Sequence, residues 1–231
     1  MRLNLFILFI LFYSSCKQET LKINVFNTRD FTIVDTTIQA STFLQFDDSI
    51  SDYPIYYIGP KVDTINIAKQ YWRGQTKWVD DFEAPLSRRY SKKTLKIFVD
   101  TSAKTNSPLE YFTDNPKASQ DSTINYSSFI FSISNISDSA IYLGRTFFAF
   151  FIHREAKDKN GRWVKVDKKL SELNICGTDE PTITLNPNNV LISKVKRYKG
   201  VFVTDFRLAF GYDSNIVYSN TFRDSIGERM L

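Results

Sequence analysis

Few residues in this chain could carry acid–base or nucleophilic chemistry. Histidine occurs once, at His153, and cysteine twice, at Cys16 and Cys176. Zinc sites in proteins are built from several His, Cys or acidic ligands. One histidine and two cysteines are too few to form a site from His and Cys alone. A Ser-His-Asp triad would have to use His153, and neither a Gly-x-Ser-x-Gly elbow nor a phosphate-binding or dinucleotide loop occurs. We therefore expect no metal site, no cofactor and a protein that is not an enzyme.

Paired carboxylates leave one catalytic alternative open. Glycosidases place two acidic side chains on either side of the scissile bond. Three neighbouring pairs qualify by type, but nothing selects among Asp47-Asp48, Asp80-Asp81 and Asp179-Glu180. The first and third could also offer oxygen ligands to calcium, although neither has a calcium-loop signature. Solvated turns are the simpler interpretation, and a two-carboxylate hydrolase of carbohydrate or peptidoglycan is the alternative function.

Cys16 ends a segment with the features of an export signal. Arg2 supplies a positive charge, Leu5–Phe12 is an unbroken apolar run, and Ser14 and Ser15 lead into the cysteine. The apolar run is shorter than the roughly 20 residues that a membrane-spanning helix needs. Residues 1–19 resemble bacterial lipoprotein signals of the Bacteroidota type, although Tyr13 stands where that family usually carries an aliphatic residue.

The resemblance implies a location and an anchor. It implies that residues 1–15 are removed and that acyl chains on Cys16 hold the protein in the cell envelope, in the outer membrane on its periplasmic or surface face. The chain has 30 Lys and Arg against 25 Asp and Glu, but an exported protein is not expected to bind nucleic acid. With Cys16 lipidated, Cys176 has no partner for a disulfide, and we expect it to be a buried thiol.

A repeated Asp-Ser or Asp-Thr pattern is a candidate modification signal. The pair is followed by Thr or by an aliphatic residue more often than composition predicts, and the pattern resembles the O-glycosylation acceptor sites of exported Bacteroidota proteins. The structural alternative is that Asp before a hydroxyl residue forms a turn and a β-branched residue then opens a strand. The candidate acceptors are Thr36, Ser49, Thr64, Ser122, Ser139 and Ser225.

Two clusters could form a binding surface. Tyr71, Trp72 and Trp78 lie in an irregular stretch, and aromatic rings there could bind a sugar or a protein or could fill one end of the fold. The second cluster is basic and is either a charged patch or ordinary surface. Its members are Arg88, Arg89, Lys92, Lys93, Lys194, Lys196, Arg197 and Lys199.

The elements that would position these residues are short strands. Alternation and β-branched residues predict a hairpin over 55–67, and the turn residues Asp158–Gly161 predict a second hairpin. Ser107, with Pro108 and Glu110 after it, forms a capping box that predicts a helical turn. In 146–154 the pattern places His153 at the rim of a core-facing row, opposite Arg154. Strands are predicted at 21–26, 31–38, 55–58, 64–67, 95–99, 129–133, 141–143, 146–154, 162–167, 182–185, 190–195, 202–210 and 216–218.

Regularly spaced strands with little helical periodicity predict an all-β fold. We expect an immunoglobulin-like β-sandwich with additional N-terminal strands and at most one or two helical turns. The predicted divisions are a signal peptide at 1–15, a tether and N-terminal β segment at 16–90, and the sandwich at 91–231. The expected function is non-catalytic binding or scaffolding, with an envelope protein or glycan as partner.

Overall fold

The structure is a computed structural model, and it describes residues 24–27, 31–36, 42–43, 53–67, 90–108, 125–145, 152–167, 182–211 and 215–231. Within these ranges the chain forms strands and one 3-10 turn at Glu228–Met230. The all-β prediction is therefore confirmed. The strands are β1 Asn24–Asn27, β2 Thr32–Asp35, β3 Ile55–Pro60, β4 Thr64–Asn66, β5 Leu95–Pro108, β6 Asn125–Asn135, β7 Ile141–Arg145, β8 Ile152–Lys157, β9 Trp163–Lys165, β10 Thr182–Leu185, β11 Asn189–Lys196, β12 Phe202–Phe210, β13 Val217–Tyr218 and β14 Phe222–Ile226.

Two antiparallel sheets form the sandwich. The first sheet has the order β3-β11-β6-β5. In the second sheet β9, β8 and β12 are neighbours, and β13 and β14 both pair with β12. Because β3 pairs with β11, a strand from the predicted N-terminal segment lies within the first sheet of the sandwich.

The main core lies between these sheets and is built from alternate residues of their strands. Phe129, Phe131 and Ile133 of β6 face Phe206, Leu208 and Phe210 of β12 within one buried cluster. Aromatic contacts cross the core, since the rings of Phe129 and Phe222 meet edge to face at 6.1 Å. A smaller pair, β7 with β10, adds its apolar residues to the same cluster. The period-two pattern read in β6 and β12 is confirmed.

A third layer covers the opposite face of the first sheet. Strands β1, β2 and β4 form a small sheet in which β4 runs parallel to β2. Its apolar side chains, including Ile33 and Ile65, pack on Ile130 of β6 and Ile192 of β11. The first sheet is thus buried on both faces, which explains why six successive residues of β11, 190–195, are all buried.

The hairpin predicted over 55–67 is wrong. β3 pairs with β11, and β4 pairs with β2 instead of turning back on β3. Ile65 and Ile67 are buried in the third layer, so this stretch must leave the sheet that holds β3. By contrast, the hairpin at Asp158–Gly161 is confirmed, since it joins the antiparallel pair β8 and β9 and Gly161 has a φ of +76°.

The interpretation of Ser107 as a helix cap is also wrong. Ser107 is buried within β5, opposite Tyr126 of β6, and its hydroxyl lies 3.2 Å from the Tyr56 hydroxyl. A register shift between Asp100 and Lys104 lets β5 continue through the polar stretch that follows Val99. The sequence also failed to predict β14, which extends the chain's strands beyond the expected last strand at 216–218.

Candidate binding surface

Most of the residues singled out from the sequence lie outside the described part of the chain. These are Cys16, Ser49, Tyr71, Trp72, Trp78, Arg88, Arg89, Ser122, Cys176 and the acid pairs Asp47-Asp48, Asp80-Asp81 and Asp179-Glu180. Their predicted roles stay predictions.

The outer face of the second sheet is the surface on which charged and aromatic side chains meet. Strict alternation turns one set of side chains of β8, β9, β12, β13 and β14 into the main core and the other set away from it. We call the second set the outer face. Its principal members are His153, Glu155, Lys157, Trp163, Lys165, Val203, Asp205, Arg207, Tyr218 and Arg223.

Arg207 occupies the centre of the outer face. Its Nε donates to Glu155 Oε2 at 2.7 Å, and its Cζ lies 4.2 Å from the Trp163 ring centroid and 3.7 Å from that of Tyr218. Two aromatic contacts and an ion pair fix the guanidinium in one orientation before any ligand arrives. Arg, Trp and Tyr are the residue types that are enriched among energetic hot spots of protein interfaces.

A second group of charges lies beside Arg207. Lys157 Nζ is 3.0 Å from Asp205 Oδ2, and Arg223 Nη1 is 3.7 Å from Asp205 Oδ1. Lys157 also lies over the Trp163 ring, 5.3 Å from its centroid. Opposite charges on neighbouring strands stabilise the sheet locally, so the outer face combines ordered ion pairs with aromatic surface.

Apolar groups border these charges. Val203 is 54% exposed and Tyr218 is 42% exposed, and Val201, directly before β12, is 89% exposed. Together with the half-buried Trp163 they give the outer face a polar centre with apolar margins. Exposed apolar groups gathered on one face are a feature of contact surfaces.

His153 lies on the outer face, half-buried, and not on a core-facing row as the sequence pattern predicted. Its Nε2 is 3.3 Å from Glu155 Oε1. Burial, followed by the positive charge of Lys165, lowers the pKa of His153 below its ordinary value, so the ring is neutral at pH 7. The reason for the reversed face is Arg154, whose side chain is the one that turns into the core.

Arg154 is buried because it completes a polar network between the sheets. Its Nη2 is 2.8 Å from Asp167 Oδ1, its Nη1 donates to the Lys196 carbonyl oxygen, and the hydroxyls of Tyr53 and Tyr198 donate to the same carboxylate. Burial alone would raise the pKa of Asp167. The Arg154 charge and the hydrogen bonds from Tyr53, Arg154 and Tyr198 lower it by more than burial raises it, so the pKa lies below its ordinary value. The donors around Asp167 stabilise its ionised form, and Arg154 also bonds to the Lys196 carbonyl oxygen, so this is a structural network.

The predicted basic patch does not form at Lys194. Lys194 is completely buried, and its Nζ lies 2.9 Å from both Asp35 Oδ2 and the Asn106 carbonyl oxygen. Arg197 is also paired, with Asp224 at 2.6 Å. These basic residues hold layers and strands together, which sequence spacing could not indicate because their acidic partners are far away along the chain.

The candidate acceptors that the structure describes fall into two groups. Thr64 and Ser139 are exposed, whereas Thr36 and Ser225 are half-buried. The aspartates that precede the half-buried pair, Asp35 and Asp224, are themselves engaged with Lys194 and Arg197. The turn interpretation does not hold at these two sites, because Asp35 lies in β2 and Asp224 in β14. It fits the exposed pair, since Asp63 and Asp138 lie between strands, directly before β4 and shortly before β7. Accessibility favours the same exposed pair as acceptors.

Among the described residues no group of three or more His, Cys, Asp or Glu could hold a metal ion, and no helix there is long and apolar enough to cross a membrane. No family model, curated protein or solved structure matches the chain. Alternation in the sequence predicts that Asp205 and Arg207 share one face of their strand and that Trp163 and Lys165 share one face of theirs. It does not predict that Tyr218 lies on the same outer face.

Proposed function

We propose that this protein is a lipid-anchored binding or scaffolding module of the cell envelope and that the outer face of its second sheet is the contact surface. The observation that carries the proposal is Arg207, held between Trp163 and Tyr218 and bonded to Glu155. Such a group loses little conformational entropy on binding, because its side chain is already ordered.

The partner on this surface is a protein rather than a glycan. Sugars bind to aromatic rings by stacking on an open ring face. Here the Arg207 guanidinium stacks on both Trp163 and Tyr218. Planar donors and mixed charges instead suit the carboxylates and amides of a protein surface.

A photo-crosslinking amino acid at Lys165 of the full-length protein in cells tests the surface. Lys165 is exposed on the outer face, and we expect crosslinked adducts that contain a protein and that diminish at least about fivefold with Arg207→Ala. The matched control places the same crosslinker at Phe98, which is 42% exposed on β5 of the other sheet. Equal adducts at both positions, or none at Lys165, would contradict the proposal.

A further inference from the structure

We propose that the protein partner of the outer face is a second copy of this chain. The inference rests on the proposed function, because it names the occupant of the same surface. Its basis is the order in which positive and negative side chains follow one another across the strands.

The charges form two staggered rows. Across β9, β8 and β12 the first row is Lys165, Glu155 and Arg207, since Glu155 is paired in register with both of the others. The second row crosses β8, β12 and β14. Lys157 follows the Ala156–Phe206 pair and bonds to Asp205, which is opposite Arg223. Each row reads positive, negative, positive.

This order is self-complementary about one axis. This two-fold axis lies in the plane of contact between the two copies, runs parallel to the strands and passes midway between β8 and β12. It brings Glu155 of one copy against Arg207 of the other, and Lys157 against Asp205, each contact occurring twice. Each ion pair of one copy then faces the same ion pair of the other copy, with positive opposite negative. Every one of these four charges therefore gains a second partner of opposite sign.

The same axis also matches Trp163, which is paired with Lys157 and lies next to the second row on β9, with Arg223, the last member of that row. Trp163 on β9 lies as far from the axis as Arg223 on β14, so the operation places each Trp163 ring beside Arg223 of the other copy. A uniformly negative ligand fits less well, because Glu155 and Asp205 occupy the central strands and would repel it. The charge order therefore favours a second copy over a polyanion.

The size of the outer face sets the strength of the pairing. It offers about a dozen side chains, fewer than the 20–30 per partner of a standard stable interface. We therefore expect a weak, salt-sensitive dimer in solution. Anchoring at Cys16, if it occurs as proposed, would confine both copies to one membrane and raise their effective concentration.

Charge exchange between two tagged full-length copies tests the pairing. Copies with different affinity tags are co-expressed, extracted in mild detergent at low salt and purified through one tag. We expect the wild-type pair to co-purify, and we expect Glu155→Arg paired with itself, and Arg207→Glu paired with itself, to fall at least about tenfold, because each creates two like-charge contacts. Glu155→Arg paired with Arg207→Glu restores opposite charges at both contacts and should recover co-purification.

Glu228→Lys is the matched control and should leave co-purification unchanged, since Glu228 lies in the 3-10 turn after β14, forms an exposed ion pair with Lys159 and is not among the residues that define the outer face. Recovery in the mixed pair also shows that each reversed variant is folded. Absence of wild-type co-purification, or equal values for all combinations, would overturn the self-pairing. If crosslinking at Lys165 nevertheless captures a different protein, only this inference falls; if crosslinking also fails, the proposed function falls with it.

Discussion

At the scale of single residues, the fold depends on charges that are removed from water. Lys194 and Asp35 are both completely buried, and Thr105 donates to the same Asp35 carboxylate. Burial lowers the pKa of Lys194, and the nearby Asp35 charge opposes that shift. Such a pair contributes little net stability relative to apolar residues, but losing one member leaves an uncompensated charge inside the protein.

Lys194→Met should therefore destabilise the protein by about 3–5 kcal/mol, because Asp35 loses its cation. The double variant Lys194→Met/Asp35→Leu should recover most of that loss, and denaturant unfolding of the four proteins gives the coupling energy. Lys159→Met, which removes the exposed pair with Glu228, is the control and should change stability by less than about 1 kcal/mol. Additive effects of the two buried substitutions would contradict the pairing.

Asp167 predicts how stability depends on pH. Its folded-state pKa lies below the ordinary value, so the folded protein binds protons there less readily than the unfolded chain. The stability that ionised Asp167 contributes is complete above the ordinary pKa of about 4 and is lost as the pH falls through the folded-state pKa. We expect the melting temperature to drop on acidification below about pH 4 and the drop to be shallower in Asp167→Asn.

Asp158→Asn is the control for that measurement. Asp158 is paired with the exposed Arg162 at the surface, so this substitution leaves the buried network of Asp167 intact. This variant should keep most of the acid-induced loss. An Asp167→Asn protein with the wild-type pH profile would show that the buried carboxylate does not govern acid stability.

The exposed hydroxyls give a residue-level test of modification. If the Asp-Ser and Asp-Thr sites are glycosylated, accessibility predicts that Thr64→Ala and Ser139→Ala each remove mass from the native protein. Thr36→Ala and Ser225→Ala, whose side chains are half-buried, should leave the mass of the attached glycan unchanged. Intact-mass measurements that show no glycan at Thr64 and Ser139 would leave the turn interpretation as the explanation of the pattern at these two sites.

At the scale of elements, the position of β14 depends on a close backbone approach. A Cβ atom on Gly200 would lie 1.9 Å from the Ile226 carbonyl carbon at the end of β14. No side chain can move aside there, because the contact is with backbone. The connection before β12 and the end of β14 therefore fit together only when residue 200 is glycine.

Gly200→Ala should release β14 from β12 and destabilise the protein by at least about 2 kcal/mol. Amide hydrogen exchange should increase at Phe222, Asp224 and Ile226, whose register partners on β12 share the β14-facing side of that strand with Leu208. Gly161→Ala is the contrast, since Gly161 has a positive φ but nothing within 4 Å, and it should cost only about 1 kcal/mol with exchange changes confined to the β8–β9 hairpin. Unchanged protection of β14 in Gly200→Ala would show that the close approach does not hold the strand.

At the scale of the whole molecule, the anchor remains a prediction from the sequence. We expect Cys16→Ala to abolish acylation and to release the protein from membranes or leave it as a longer precursor, because Cys16 is the proposed acyl acceptor. Membrane fractionation with metabolic acyl labelling checks this. Ser15→Ala, which changes a neighbour but keeps the cysteine, should still be labelled. Wild-type labelling and sedimentation of Cys16→Ala would refute the anchor.

Much of the sandwich could be read from the sequence because alternation is a local signal. The faces of β6 and β12 follow from period two, and Asp158–Gly161 carries a hairpin signature in four residues. The third layer could not be derived in this way. Whether β4 pairs with β3 or with β2 depends on where Ile65 and Ile67 are buried, which is a choice between distant parts of the chain.

The candidate surface shows the same limit. Alternation assigned Trp163 and Arg207 to faces, yet their contact joins residues 44 positions apart and requires the order of β9, β8 and β12. The buried ions were harder still, since Lys194 and Asp35 are 159 positions apart. A lysine in an alternating strand resembles a solvent-facing residue until the layer that covers it is known.

The register of the third layer has a mechanical consequence. Asn24, the first residue of β1, is paired with Asp35, the residue that is bonded to Lys194 in the first sheet. If the chain is held at Cys16, a pull from the membrane enters the described fold at Asn24. The load would pass across the β1–β2 pair and then into the sandwich through the contacts of Asp35 with Lys194 and Thr105 and through the apolar contacts of the third layer. Because the Asp35–Lys194 pair is one of these contacts, Lys194→Met would lower the force at which β1 and β2 detach while leaving the sandwich intact.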